Sequence, residues 1–472
     1  MGIHLPPTVA LVLTIGFIVF LFRRDIRERP NITGALWLPL VWMLLIATRS
    51  PIQWLSLGGF VQGASMEEGN PLDAWVYFIL IAAGFYVLNK RQVSLSEVFR
   101  DNGWLMAFLL YCFIAILWSE APFIGFKRWI KILGHPIMAL VLLTEPDPGE
   151  AIARLMKRSA YVFVPLSILF IKYYPDWGRA FDAWTGAAVN CGINNNKNEL
   201  GWVCMILGFF FFWYLLQIVK TEKSKARRNE LFLIAGFICM IGWLLSKASS
   251  ATSNISLAIG VLTVALLGLR WVNKRLIGLY IVFAVILFII AELTFGIFGQ
   301  VTALSGHETT VAGRAELWRE LLALHTNPIF GVGFESFWLG DRLKQLWAEH
   351  WWHPTEAHNG YLETYLNLGL VGLFMLAALI IATCSKACRQ ILSDFEWARF
   401  RLGFLFAVVA FNWTEASFKG LSPIWFVFYI IAMDYPRPLL AADEQPSEVP
   451  IEAEEVEVGY SCDTVSIESR LP

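Results

Sequence analysis

Long apolar runs, almost free of charge, recur along the whole 472-residue chain and are separated by short polar connections. A helix that crosses the hydrocarbon core of a bilayer needs about 20 mostly apolar residues. Runs of this kind lie near 6–22, 33–48, 73–89, 103–119, 129–146, 159–173 and 199–219. Others follow near 231–246, 252–269, 276–297, 360–385, 401–413 and 421–435. The pattern predicts an all-α, polytopic membrane protein with 12 to 14 transmembrane helices, the runs at 33–48 and 401–413 being short. The first run ends in Arg23-Arg24 with no small-residue cleavage site behind it, so it is expected to be retained as a helix. No internal duplication or low-complexity repeat is visible.

Composition narrows the class. Charged residues make up 16% of the chain, against about 25% in soluble globular proteins. With 57% hydrophobic residues, 21 Trp and 36 Phe, this excludes a water-soluble enzyme, a disordered protein and a basic nucleic-acid binder. The seven cysteines are scattered and mostly lie inside apolar runs; Cys384 and Cys388 are one helical turn apart but have no second pair. They form neither a disulfide framework nor a zinc pattern.

The net charge of −1 is uninformative, but its distribution is not. Arg23/Arg24/Arg27/Arg29, Lys90/Arg91/Arg100, Arg154/Lys157/Arg158, Lys220/Lys223/Lys225/Arg227/Arg228, Arg270/Lys274/Arg275 and Lys386/Arg389/Arg399/Arg401 fall on every second connection. The positive-inside rule makes these connections cytoplasmic, with the N-terminus outside and the C-terminus inside. Residues 436–472, rich in Glu, Asp and Pro, then read as an acidic disordered cytosolic tail.

One outside connection, from about 296 to 359, is far longer than the rest, and connectors of that length are usually folded or functional. Within it Leu317, Leu321 and Leu324 repeat at helical spacing, and Asn327-Pro328-Ile329-Phe330-Gly331-Val332-Gly333 is a turn-rich stretch. Five of the seven histidines (307, 325, 350, 353 and 358) fall here. His350, His353 and His358 lack the i, i+4 helical pair of a metalloprotease, so no metal is expected. His358, at the entry to the next apolar run, is read either as a residue neutral at pH 7 that accepts a proton from a hydroxyl or as an interfacial residue capping a helix.

The outside-facing cations stand at the mouths of spans: Lys127, Arg128 and Lys131 at one, Lys197 after Asn194-Asn195-Asn196, Lys247 inside Ser246-Lys247-Ala248, with Arg314 and Arg319 on the long loop. Such residues either snorkel to headgroups or converge as a receptor for an anion, above all a diphosphate. Trp338, Trp347, Trp351 and Trp352 are open to two readings as well, interface anchoring or stacking on sugars.

Three blocks carry a resemblance. Gly313-Arg314-Ala315-Glu316-Leu317-Trp318, then Asn327-Pro328-x2-Gly331-Val332-Gly333-Phe334, then Ala357-His358-Asn359-Gly360-Tyr361-Leu362-Glu363 with Gly369-Leu370-Val371-Gly372 resemble the O-antigen ligase / Wzy-type polymerase superfamily, most closely its exopolysaccharide-polymerase branch. The resemblance implies a GT-C-like fold. It divides the chain into N-terminal transmembrane helices (1–184), an O-antigen ligase-like core (185–375) with a periplasmic loop (296–359), C-terminal helices (376–435) and the tail (436–472). It further implies a bacterial inner-membrane glycosyltransferase that joins undecaprenyl-diphosphate-linked repeat units at the periplasmic face, without cofactor or metal. The alternative inside the family is a ligase that moves finished glycan to lipid A core or to protein. By match to the family motifs, His358 assists the acceptor hydroxyl and Arg314 contacts the carrier diphosphate. Lys247 stands where the family carries an arginine, with Lys197, Arg128, Lys127, Arg319 and Asn359 as further substrate-binding candidates. The expected partners are the lipid-linked glycan donor, a glycan acceptor, the bilayer and other polysaccharide-assembly membrane proteins, and no nucleic acid. A transporter or flippase, and a non-catalytic scaffold, are the competing classes; neither the inverted repeats nor the mid-membrane charges of a transporter are visible in the sequence.

Overall fold

The computed structural model describes residues 5–57, 69–181, 186–295, 308–324 and 326–435. The acidic tail, His307 and His325 lie outside the described residues. The chain is a bundle of helices: α1 (Pro7–Arg27), α2 (Trp37–Ile46), α3 (Pro51–Leu57), α4 (Pro71–Lys90), α5 (Leu95–Asp101), α6 (Gly103–Ile114), α7 (Pro122–Ile132), α8 (Gly134–Leu143), α9 (Pro148–Tyr173) and α10 (Pro175–Gly178). It continues with α11 (Lys197–Ile218), α12 (Lys225–Ala248), α13 (Ala251–Leu267), α14 (Ile277–Phe295), α15 (Glu308–Ala323), α16 (Gly340–Glu349), α17 (Gly360–Gln390), α18 (Phe395–Phe411) and α19 (Pro423–Ala432). The sole sheet among the described residues is a small antiparallel hairpin, β1 (Arg179–Phe181) with β2 (Ala188–Asn190), which hydropathy does not reveal.

The all-α, polytopic expectation holds, and nearly every apolar run contains a helix. Among the described residues five helices are long and apolar enough to cross a membrane, or up to seven if each of two bent pairs counts as one span. Two things separate this from the 12 to 14 runs. Several runs fold as short helices: 129–146 is broken at Leu133 between α7 and α8, and α19 has ten residues. Other helices carry charge inside. Arg154, Lys157 and Arg158, expected on a connection, lie within α9, and Arg399 and Arg401 lie within α18.

Buried charges are tolerated only when paired, and these pairs tie helices together. Asp25 of α1, whose side chain is fully buried, accepts from Arg154 (2.6 Å) and Arg158 (2.7 Å) of α9. Glu230 of α12 accepts from Lys157 (2.6 Å) and from Arg24 of α1. The same basic residues that mark sidedness in the sequence are thus structural cement.

The long connection docks through its glycines. The second block, Asn327 to Phe334, lies across α17 where that helix kinks at Gly369 (φ 66°, ψ −164°). The kink frees backbone groups that the block satisfies: Leu370 N–H donates to Pro328 O (2.9 Å), Val371 N–H to Ile329 O (3.1 Å) and Gly333 N–H to Asn367 O (2.9 Å). A Cβ on Gly369 would stand 2.2 Å from Ile329 O, and one on Gly331 would stand 2.4 Å from Asn367 O. No side chain fits that approach, which is why both positions are glycine. Blocks distant in sequence are therefore one packed unit. α15 seals it with Leu317 and Leu321, both buried against Phe337, Leu346 and Leu366.

Candidate active site

Asn359 starts α17. Its side-chain Oδ1 accepts from Tyr361 N–H and Leu362 N–H (3.0 Å each) and so caps the helix. The residue before it, His358, has a left-handed backbone (φ 48°), a conformation that non-glycine residues hold only when the surroundings enforce it. Trp318 N–H donating to Ala357 O (2.8 Å) and Ala357 N–H donating to Glu363 (3.0 Å) do so from either side.

His358 Nδ1 sits 3.1 Å from Glu356 Oε1 and 3.4 Å from Glu415 Oε2. Each carboxylate is held by a cation of its own. Lys419 Nζ lies 2.8 Å from the second oxygen of Glu356, and Arg314 Nη2 lies 3.1 Å from the second oxygen of Glu415. The other arm of Arg314 donates to Thr414 O (2.5 Å), Asn198 at the start of α11 donates to Glu415 (3.2 Å), and Thr252 of α13 meets Thr414 through their hydroxyls (2.7 Å). The cluster is built from α11, α13, α15, the entry to α17 and the connection between α18 and α19.

Burial disfavours the charge on His358, but Glu356, and after it Glu415, outweigh burial and raise its pKa from 6.5 to about 9. The neutral imidazole expected from sequence is thereby corrected: at pH 7 His358 carries a proton. Burial likewise opposes the charges of Glu356 and Lys419, and each overcomes it through the other: Glu356 is held well below the usual carboxylate range and Lys419 above its ordinary value.

Glu356, His358 and Glu415 each offer a ligand atom, all within 4.8 Å of one another. A divalent ion would have to displace Lys419 and Arg314 from the two carboxylates and add charge to a cluster in which three cations already face two anions. The arrangement suits an anion better. His350 and His353 are elsewhere: His350 pairs with Glu320 (2.5 Å) and His353 stacks on Trp347.

The other cations divide. Arg128 donates to Glu335 O (2.7 Å) and lines a cavity with Lys419; Lys127 lies over the Phe123 ring, Lys197 opens α11, and Arg319 is exposed on α15. Lys247 has other neighbours than those of Arg314. It lines a separate cavity of about 300 Å³ with Lys172, Arg179 and Asn190, and its ammonium and that of Lys172 both stand over the Trp243 ring, at 5.8 and 5.1 Å.

Glu356, Glu415, Lys419, Lys172 and Arg179 are the site residues that sequence reasoning missed. Glu415 and Lys419 had a signal: two opposite charges one helical turn apart in the short connection between the apolar runs at 401–413 and 421–435.

Residues 231–377 match the family described as O-antigen ligase. The chain is an all-α, multi-pass membrane protein, and the segment that matches contains Lys247, Arg314 and His358 but not Glu415 or Lys419. Over 311 residues the chain is 24% identical to the exopolysaccharide production protein ExoQ of Rhizobium meliloti (strain 1021), covering 62% of this chain and 66%, just under two thirds, of that relative. It is also 24% identical over 336 residues to an uncharacterized protein of Haemophilus influenzae, covering 64% of this chain and 77% of the relative.

Proposed function

We propose that the chain is a membrane glycosyltransferase that polymerises undecaprenyl-diphosphate-linked repeat units into exopolysaccharide or O-antigen at the periplasmic face of the inner membrane. The observation that carries this is His358 held through Nδ1 between Glu356 and Glu415, with Arg314 on the far oxygen of Glu415. The O-antigen ligase domain and the exopolysaccharide relative support the class of reaction.

An acceptor hydroxyl attacks the anomeric carbon of the donor. The new C–O bond forms as the bond to the carrier diphosphate breaks, and the hydroxyl proton passes to His358 Nε2. Glu356 and Glu415 fix the Nδ1–H tautomer and stabilise the imidazolium as it forms. Developing charge on the diphosphate is met by cations in a site whose balance is positive. The proton-accepting form of His358 is a minority at neutral pH and grows with pH.

The domain's description favours a second function, transfer of finished glycan by a ligase. A deletion strain separates the two: single repeat units on the carrier mark a polymerase, long carrier-linked polymer marks a ligase. In the same strain His358→Ala should insert normally and restore no glycan; near-normal polymer from it would remove His358 from the mechanism.

A further inference from the structure

A cavity of about 370 Å³ adjoins the His358 cluster, within the range of small-molecule sites. Its wall includes three indoles, Trp202, Trp338 and Trp347, and two carboxylates, Glu335 and Glu363. Lys419 belongs both to this wall and to the cluster, leading through Glu356 to His358.

Most polar groups of the wall are already paired. Trp338 N–H donates to Glu363 (2.6 Å), Trp347 N–H to Pro354 O (2.9 Å) and Gly420 N–H to Glu335 (2.7 Å). Two are not: Ser422 Oγ and Trp202 Nε1 are buried and have no hydrogen-bond partner among the described residues. Ser422 is only 6% exposed. Buried polar groups of this kind bond to whatever enters the cavity beside them, water or ligand. Glu335 adds a second sign, since it holds a left-handed backbone (φ 50°) at the cavity wall, and strain of that kind gathers at binding sites.

The occupant must present hydroxyls to Ser422 and Trp202 and an apolar face to indoles, and it need carry no charge, because the two cations of the wall are already engaged, Arg128 with Glu335 and Lys419 with Glu356. A neutral pyranose meets all three conditions. We propose that this cavity holds the terminal sugar of the acceptor glycan. The word acceptor rests on the transfer function proposed above; the sugar site itself does not.

The test is saturation-transfer NMR on the full-length protein in lipid nanodiscs. The probes are methyl glycosides of the monosaccharides that acid hydrolysis releases from the host's own surface polysaccharide. At least one glycoside should bind the wild type. Ser422→Ala removes a hydroxyl that supports nothing in the fold, so thermal unfolding should be unchanged while binding weakens by about tenfold. Trp347→Phe should retain more binding than Trp347→Ala. No binding by the wild type, or equal binding by the wild type, Ser422→Ala and a cavity-filling Ala416→Phe that still folds, overturns the site. His358→Ala should keep the glycoside signal. Were that variant to keep transfer as well, the transfer mechanism would fail and the sugar site would stand.

Discussion

Arg314 and His358 contact opposite oxygens of one carboxylate, that of Glu415. The guanidinium and the imidazole, which the sequence places in separate blocks, are thereby one electrostatic unit. A substrate anion arriving at Arg314 competes for the group that also orients His358.

That coupling sets the first expectation. Arg314→Lys keeps a charge but loses the fork that spans Thr414 O and Glu415, so transfer should fall by about ten- to a hundredfold. Glu415→Gln keeps the shape and should also impair transfer, and the double variant should lose less than the two losses combined, because both remove the same unit. Purely additive losses in polymer yield would show that Arg314 acts apart from His358.

A second expectation concerns pH. The folded-state pKa of His358 is raised, so the cationic form persists up to about pH 9. If the neutral form takes the acceptor's proton, kcat/KM should climb by about tenfold per pH unit and level off near pH 9. Glu356→Gln removes the larger of the two opposing charges and should move the shoulder down towards pH 6.5. The sign for stability is opposite: the contribution from charging His358 is complete below pH 6.5 and is lost as pH rises through 9. A flat rate between pH 6 and 9 would make His358 a cation in catalysis and not a base.

Lys247 and Lys172 hold two like charges over one indole, without a carboxylate among the residues lining their cavity. Such a pair is expected to receive an anionic group of the lipid-linked donor. Lys247→Ala should weaken donor binding by about tenfold, since a charge-assisted contact is lost, and Lys247→Arg should be tolerated. Unchanged donor affinity in a Lys172→Ala, Lys247→Ala double variant would leave this cavity without a role in transfer.

Transfer should persist in EDTA, because the carboxylates of the Glu356–His358–Glu415 cluster are occupied by Lys419 and Arg314. Inactivation by EDTA that one divalent ion reverses would make those three residues metal ligands.

Sidedness can be read directly. In a Cys239→Ser background, a cysteine at exposed Lys344 on α16 should react with a membrane-impermeant thiol reagent in intact spheroplasts, and one at exposed Ser393 should not. The reverse labelling would put the His358 cluster on the cytoplasmic side.

Hydropathy alone determined that this chain is a helical membrane protein, because burying backbone in lipid leaves few choices and every long apolar run must answer in the same way. Position in the long loop marked Arg314 and His358 as candidates, and the resemblance of the short blocks that hold them implied their roles. The sequence did not show that α9 and α18 carry buried arginines, since a charge looks like a connection until its partner is known, and Asp25 is over a hundred residues from Arg154. Nor did it show the neighbours of His358. Glu356 stands two residues before it and Glu415 comes from the connection between α18 and α19, and only the folded approach of both carboxylates reverses its protonation at pH 7, because a pKa depends on distance in space. The neighbours of Lys247 were hidden for the same reason: α12 ends beside the β1–β2 hairpin, where Lys172 and Arg179 line one cavity with Lys247, and no periodicity along the chain records that meeting.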